Sequence, residues 1–172
     1  HLQQEIGNRI TVTISASLDR AMAQLAAFGL SLDLSGEEDR SDLCRRTAAL
    51  LDRETEFDHL FLADRSGQEV CKVSRFYTFR PFEMENVSGT PAFETALTGR
   101  VHISDVLISE FSKFPLIRIS APVRDLGDRV GGVICAGLNI ARIWQLISRY
   151  HIGRESYAYI VDAQGRLIAH ED

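Results

Sequence analysis

The first thirty residues place Ile6, Ile10, Ile14, Leu18, Met22 and Leu25 at steps of four with a final step of three, and no proline interrupts them. That spacing draws one apolar stripe down a single helix. A helix from Leu2 to about Gly29 is roughly 40 Å long at 1.5 Å per residue, more than a compact domain of this size uses for its own core. Part of it is expected to project as a stalk or to pair with a second copy. Folding wholly onto the domain and a coiled-coil seam are the alternatives, although steps of four drift too quickly for a strict heptad.

The other residues have the means to build a core, since 45% of the 172 positions are apolar and 25% charged. Against 24 acidic residues stand 19 basic ones, a formal charge of −5, so nothing supports the basic stripe that nucleic acid requires. Only Lys72 and Lys113 among the basic residues are lysines; the arginines are forked donors suited to carboxylates. No apolar run reaches the ~18 to 20 residues of a membrane span. Cys44, Cys71 and Cys135 are odd in number and form no C-x-x-C pair, which argues for buried free thiols over a zinc knuckle or a disulfide framework.

Beyond the polar break at Ser35-Gly36, Ser41 reads as the N-cap of a second helix with Leu43, Leu50 and Leu51 on its apolar side, ending near Arg53. Leu60–Ala63, the turn Asp64-Arg65-Ser66-Gly67 and the alternating Glu69–Val73 predict a hairpin. Residues 75–89 follow neither period yet carry Phe76, Tyr77, Phe79 and Phe82, a costly composition for a loop that covers nothing. Thr90-Pro91 opens a short helix that Gly99 closes. Strands are predicted over 101–107, 116–123 and 129–138, close enough in sequence to be antiparallel neighbours. Asn139 then caps a last helix through Ile140, Ile143, Trp144 and Ile147 to about Tyr150.

The first hairpin recurs, with Asp162 and Gly165 repeating the places of Asp64 and Gly67 between the strand patterns Tyr157–Val161 and Arg166–Ala169. Two modules are therefore expected: a stalk helix over 1–32, a first module over 33–150 and the start of a second over 151–172, which continues beyond Asp172. This order, together with Pro91-Ala92-Phe93 to Gly99, His102–Val106, Ile119–Asp125 leading to Gly131-Gly132-Val133, and Tyr157 to Asp172, resembles the double Cache sensor region of bacterial transmembrane signalling proteins, whose modules are PAS-like. Glu171 stands where that family usually has proline. The resemblance implies an α+β module with a central antiparallel sheet of about five strands, the long helix on one face and the short helix and aromatic loop on the other. It implies a periplasmic or extracellular ligand-sensing input region, membrane-anchored in the parent protein, with a histidine kinase, diguanylate cyclase or chemoreceptor output elsewhere and no enzyme or cofactor in this part. The alternatives are a dimerisation module without a ligand in this half, and a small enzyme or cofactor-binding PAS-like domain.

The amino-acid-binding branch of that family keeps an arginine followed by an aromatic pair, which Arg75-Phe76-Tyr77 matches in part, and an aspartate near the place of Gly137. Without that carboxylate an α-ammonium group loses its partner, so a free amino acid is not the expected ligand. In Leu116-Ile117-Arg118-Ile119-Ser120 a period of two puts Arg118 and Ser120 opposite the isoleucines. Arg75, Tyr77, Arg80, Phe111, Phe114, Arg118, Ser120 and Gly137 are the candidate lining of a small-molecule site under the aromatic loop. Arg118 is the candidate for an anionic group; pairing with an acid such as Asp105, or plain exposure, is the competing reading. His59, His102, His151 and His170 are scattered singly, without metal-ligand spacing. A homodimer through the first helix is expected, and ligand binding under residues 75–89 is expected to shift the first module against that helix.

Overall fold

The computed structural model describes residues 2–36, 38–141, 159–161 and 167–170, with side chains over 12–36 and 38–141. The stripe forms α1 (Leu2–Gly29) and the second apolar pattern forms α2 (Arg40–Arg53). The cap of α2 is Asp39, whose carboxylate accepts from the Ser41 amide, and not Ser41 itself. The helix starts one residue before Ser41, so Ser41 supplies one of the amides that need a partner. The strands are β1 (Phe57–Asp64), β2 (Glu69–Ser74), β3 (His102–Ile108), β4 (Pro115–Arg124) and β5 (Val130–Asn139), with α3 (Pro91–Leu97) between β2 and β3. Thr90 caps α3 through the Phe93 amide, and Gly99 takes the left-handed conformation, φ +87°, that ends the segment.

These five strands form one antiparallel sheet in the order β2-β1-β5-β4-β3. Strand alternation gives the sheet two chemically different faces. On the inner face Leu60, Leu62, Ile119, Ala121, Val123, Ile134, Ala136 and Leu138 pack with Ala21 and Leu25 of α1 and Leu43, Leu50 and Leu51 of α2. The α1 stripe joins this core from Ile14 onward, through Leu18 and Met22; the side chains of Ile6 and Ile10 lie outside the described residues. On the outer face α3 sets Phe93 and Ala96 against Ala63 and Val133.

Cys44 of α2 and Cys71 of β2 both point into the inner layer, with Cα atoms 5.4 Å apart, and form a disulfide; Cys135 is free. The expectation of three free thiols is thereby corrected. The pairing arises from α2 lying across β2, a tertiary contact that no cysteine spacing encodes. Asn139 ends β5, donating through its side-chain Nδ2 to Asp58 Oδ1 and through its backbone amide to the Glu56 carbonyl, and a helical turn starts at Ile140. The rest of the helix expected to about Tyr150 lies outside the described residues. The repeated hairpin is present as β6 (Tyr159–Val161) paired antiparallel with β7 (Leu167–His170); its docking lies outside the described residues.

Candidate functional site

The outer face beyond α3 carries short rows of side chains set by the strand register. Arg118 of β4 lies opposite Gly137 of β5, which lies opposite His59 of β1; Ser120, Cys135, Phe61 and Lys72 form the next row across β4, β5, β1 and β2. Alternation alone puts Arg118 and Ser120 here while Ile119 goes into the core. A β-bulge between Ile103 and Val106 interrupts the β3 ladder, and Ser104 Oγ accepts the Arg118 amide at 2.9 Å in its place.

Two loops roof this face. From the β2–α3 loop come Tyr77 and Phe79; from the β3–β4 turn comes Phe111, stacked on Tyr77 at 5.4 Å and edge-on to Phe79 at 5.2 Å. Phe79 also meets Phe61 edge-on at 5.6 Å. The β3–β4 turn is tied down by Asp58, whose carboxylate, 1% exposed, accepts from Ser112 Oγ at 2.6 Å and Asn139 Nδ2 at 2.8 Å. Tyr77 donates to Glu83 at 2.5 Å, and the Arg80 amide donates to the same carboxylate. That phenol–carboxylate bond raises the Tyr77 pKa and lowers that of Glu83.

Lys72 fastens the loop from below. Its ammonium meets Glu69 at 2.8 Å, donates to the Glu83 carbonyl at 3.3 Å, and lies over the rings of Phe61 and Phe79. Glu69 Oε2 in turn accepts the Glu85 amide at 2.7 Å. Charge, carbonyl and ring contacts thus fix the loop along β2.

His59 lies under the roof, 1% exposed, stacked on Phe61 at 4.5 Å and edge-on to Phe111 at 6.2 Å. Burial first, and then the positive charges of Arg118 and Lys72, push its pKa down to about 3. A Cβ on Gly137 would stand 2.3 Å from His59 Cε1, so glycine makes the room that the imidazole fills. Cys135, hydrogen-bonded to Ser120, has its thiol pKa raised by burial and is no ready nucleophile.

Of the residues singled out from sequence, Tyr77 and Phe111 meet in the roof, and Arg118, Ser120 and Gly137 share the sheet face below it. Arg80 stays exposed beside Phe82, and Phe114, exposed, makes none of the ring contacts among the described residues. Arg75 goes elsewhere: its guanidinium donates to the carbonyls of Phe57, Leu51 and Glu54 and closes the C-terminal end of α2. Arg118 is exposed at the rim, and among the described residues its guanidinium has no hydrogen bond or ion pair, including with Asp105. His59, Phe61, Lys72 and Phe79 are members of the site that the sequence reading left out. Among the described residues no group of His, Cys, Asp and Glu is placed to hold a metal.

The whole chain, residues 1–172, matches the Cache domain family dCache_1. No curated protein sequence matches it. Solved structures share the fold at low identity. The ligand-binding domain of the Campylobacter jejuni chemoreceptor Tlp3, in complex with L-valine, superposes with a TM-score of 0.74 at 12% identity, covering 98% of this chain and 69% of that one. The Pseudomonas aeruginosa amino-acid chemoreceptor PctC, in complex with GABA, gives 0.67 at 19% identity over 98% and 74%. The sensor domain of the Vibrio cholerae histidine kinase DctB gives 0.72 at 18% identity over 98% and 65%. The two-faced antiparallel sheet behind a long helix and the full-length family match agree: the chain belongs to the Cache domain family.

Proposed function

We propose that this chain is the extracytoplasmic ligand-sensing input region of a bacterial membrane signal transducer, that it takes a small polar or anionic organic ligand on the outer sheet face, and that it signals through α1. The observation that carries this reading is β4. One side of the strand presents Arg118, with no ion-pair partner among the described residues, at the rim of an aromatic roof. The other side packs Ile119, Ala121 and Val123 in the core that α1 joins. A guanidinium with free donors and aromatic walls suit a carboxylate-bearing ligand, and a ligand drawn onto Arg118 acts on the strand that supports the helix. Binding biases the arrangement only by its differential affinity for the two states.

The disulfide supports placement outside the cytoplasm, since such bonds persist in oxidising compartments. No helix among the described residues is long and apolar enough to cross a membrane; an anchor belongs to the parent protein on this reading. The division into stalk 1–32, first module 33–150 and second module from 151 is part of the same proposal, as is pairing of two copies along α1. The relatives in complex with L-valine and GABA support small-molecule binding as the shared use of the fold.

A thermal-shift screen against organic acids, amines and nucleobases tests the reading. A ligand at ~100 times its dissociation constant adds ~2.7 kcal/mol, and at least one organic acid is expected to raise the transition. A protein that no member stabilises, yet which dimerises, is a structural module and not a sensor.

A further inference from the structure

The outer face holds one group that the proposed function leaves unused. Both ring nitrogens of His59 are buried and, among the described residues, hydrogen-bond to nothing. Leaving a buried polar atom unpaired costs as much as a lost hydrogen bond, and here the two atoms lie together under the roof of Phe111, Tyr77 and Phe79. The imidazole fits over Gly137, where a Cβ would crowd all three of Cε1, Nδ1 and Nε2. Its neighbours are the cations Arg118 and Lys72. The buried carboxylate at this end, Asp58, already takes hydrogens from Ser112 and Asn139, and Glu69 is paired with Lys72. A ligand ammonium placed here meets positive charge and a neutral ring, whereas an uncharged oxygen substituent meets a ring that donates through one nitrogen and accepts through the other.

We propose that His59 is the specificity-determining residue of the site: once the aromatic roof opens, its imidazole hydrogen-bonds the 2-hydroxyl or 2-oxo group of a short organic acid whose carboxylate Arg118 takes, and the matching 2-amino acids are excluded. This rests on the organic-acid reading above and adds the chemistry at the second carbon. A hydroxyl can donate to the bare ring nitrogen or accept from the N–H, and an oxo group uses the N–H alone. An ammonium finds one acceptor and no compensating charge.

Calorimetric titration at pH 7.5 with two matched sets tests it: L-lactate, pyruvate and L-alanine, then 2-hydroxyglutarate, 2-oxoglutarate and L-glutamate. In at least one set the hydroxy or oxo acid binds at least about tenfold more tightly than the amino acid. His59→Phe, with a cooperative melt retained, loses about ten- to a hundredfold for that acid, the usual range for one buried hydrogen bond. His59→Gln, which keeps a donor and an acceptor, recovers part of the loss. In the unmodified protein the acid also moves the His59 imidazole nitrogen resonances, a readout that does not depend on any variant folding. An amino acid binding as tightly as its partners, or unmoved imidazole resonances, overturns the assignment while leaving an acid-binding sensor standing. Failure of all six to bind overturns the assignment as well, and the wider thermal-shift screen then decides the sensing reading by itself.

Discussion

Among the described residues the buried imidazole of His59 has no hydrogen-bond partner, so it is stable only while neutral, and that gives it a signature in solution. Its folded pKa, about 3, lies below the unfolded value of about 6.5. The unfolded chain therefore takes up the proton first, so the contribution is intact above pH 6.5 and is lost as pH falls toward 3. Denaturant unfolding is expected to show a protein about 2 kcal/mol less stable at pH 5 than at pH 7, and His59→Phe should remove that loss. An unchanged pH slope in the variant places the titration elsewhere. At this scale the sequence was only partly legible. Period two sent Arg118 and Ser120 outward, and the structure agrees, because alternation is a property of one strand. Arg75 looked like a ligand arginine because an aromatic pair follows it, yet its guanidinium reaches the carbonyls of Phe57, Leu51 and Glu54. His59 reads as an isolated strand histidine until the register sets it against Gly137.

Helices and strands were more legible than their contacts. Thr90-Pro91 and Gly99 bound α3 as their backbone preferences require, and the α1 stripe predicted a helix with the observed limits. The disulfide was missed, because bringing Cys44 to Cys71 requires the packing of α2 on β2. It closes a loop with a sequence separation of 27, for which chain-entropy arguments give about 3.5 kcal/mol. Reduction, or the double variant Cys44→Ser with Cys71→Ser, is expected to lower the melting temperature by roughly 5 to 15 °C. Cys135→Ser should leave any effect of reductant in place. A melt indifferent to reductant contradicts a bond that stabilises the fold.

On the scale of the molecule, the layers explain how a ligand on one side reaches a helix on the other. β4 and β5 carry the candidate site outward and the α1 contacts inward, and both strands are central in the sheet. Self-association belongs here too. Because the described core contacts of α1 begin at Ile14, the preceding half is the part expected to pair, and deleting residues 1–14 should shift a concentrated sample toward monomer in sedimentation. If the full chain is already monomeric and the deletion changes nothing, α1 is not the interface. Even a millimolar dimer would serve in an anchored parent, where effective concentration is high. Communication between the faces is most directly tested by amide hydrogen exchange with and without the acid that most stabilises the protein. Slower exchange is predicted in Arg75–Glu83 and Ser109–Arg118, accompanied by altered exchange in the α1 segment from Ile14 to Leu25. Protection confined to other segments, or a protected roof with α1 unchanged, would contradict a ligand signal that crosses the sheet.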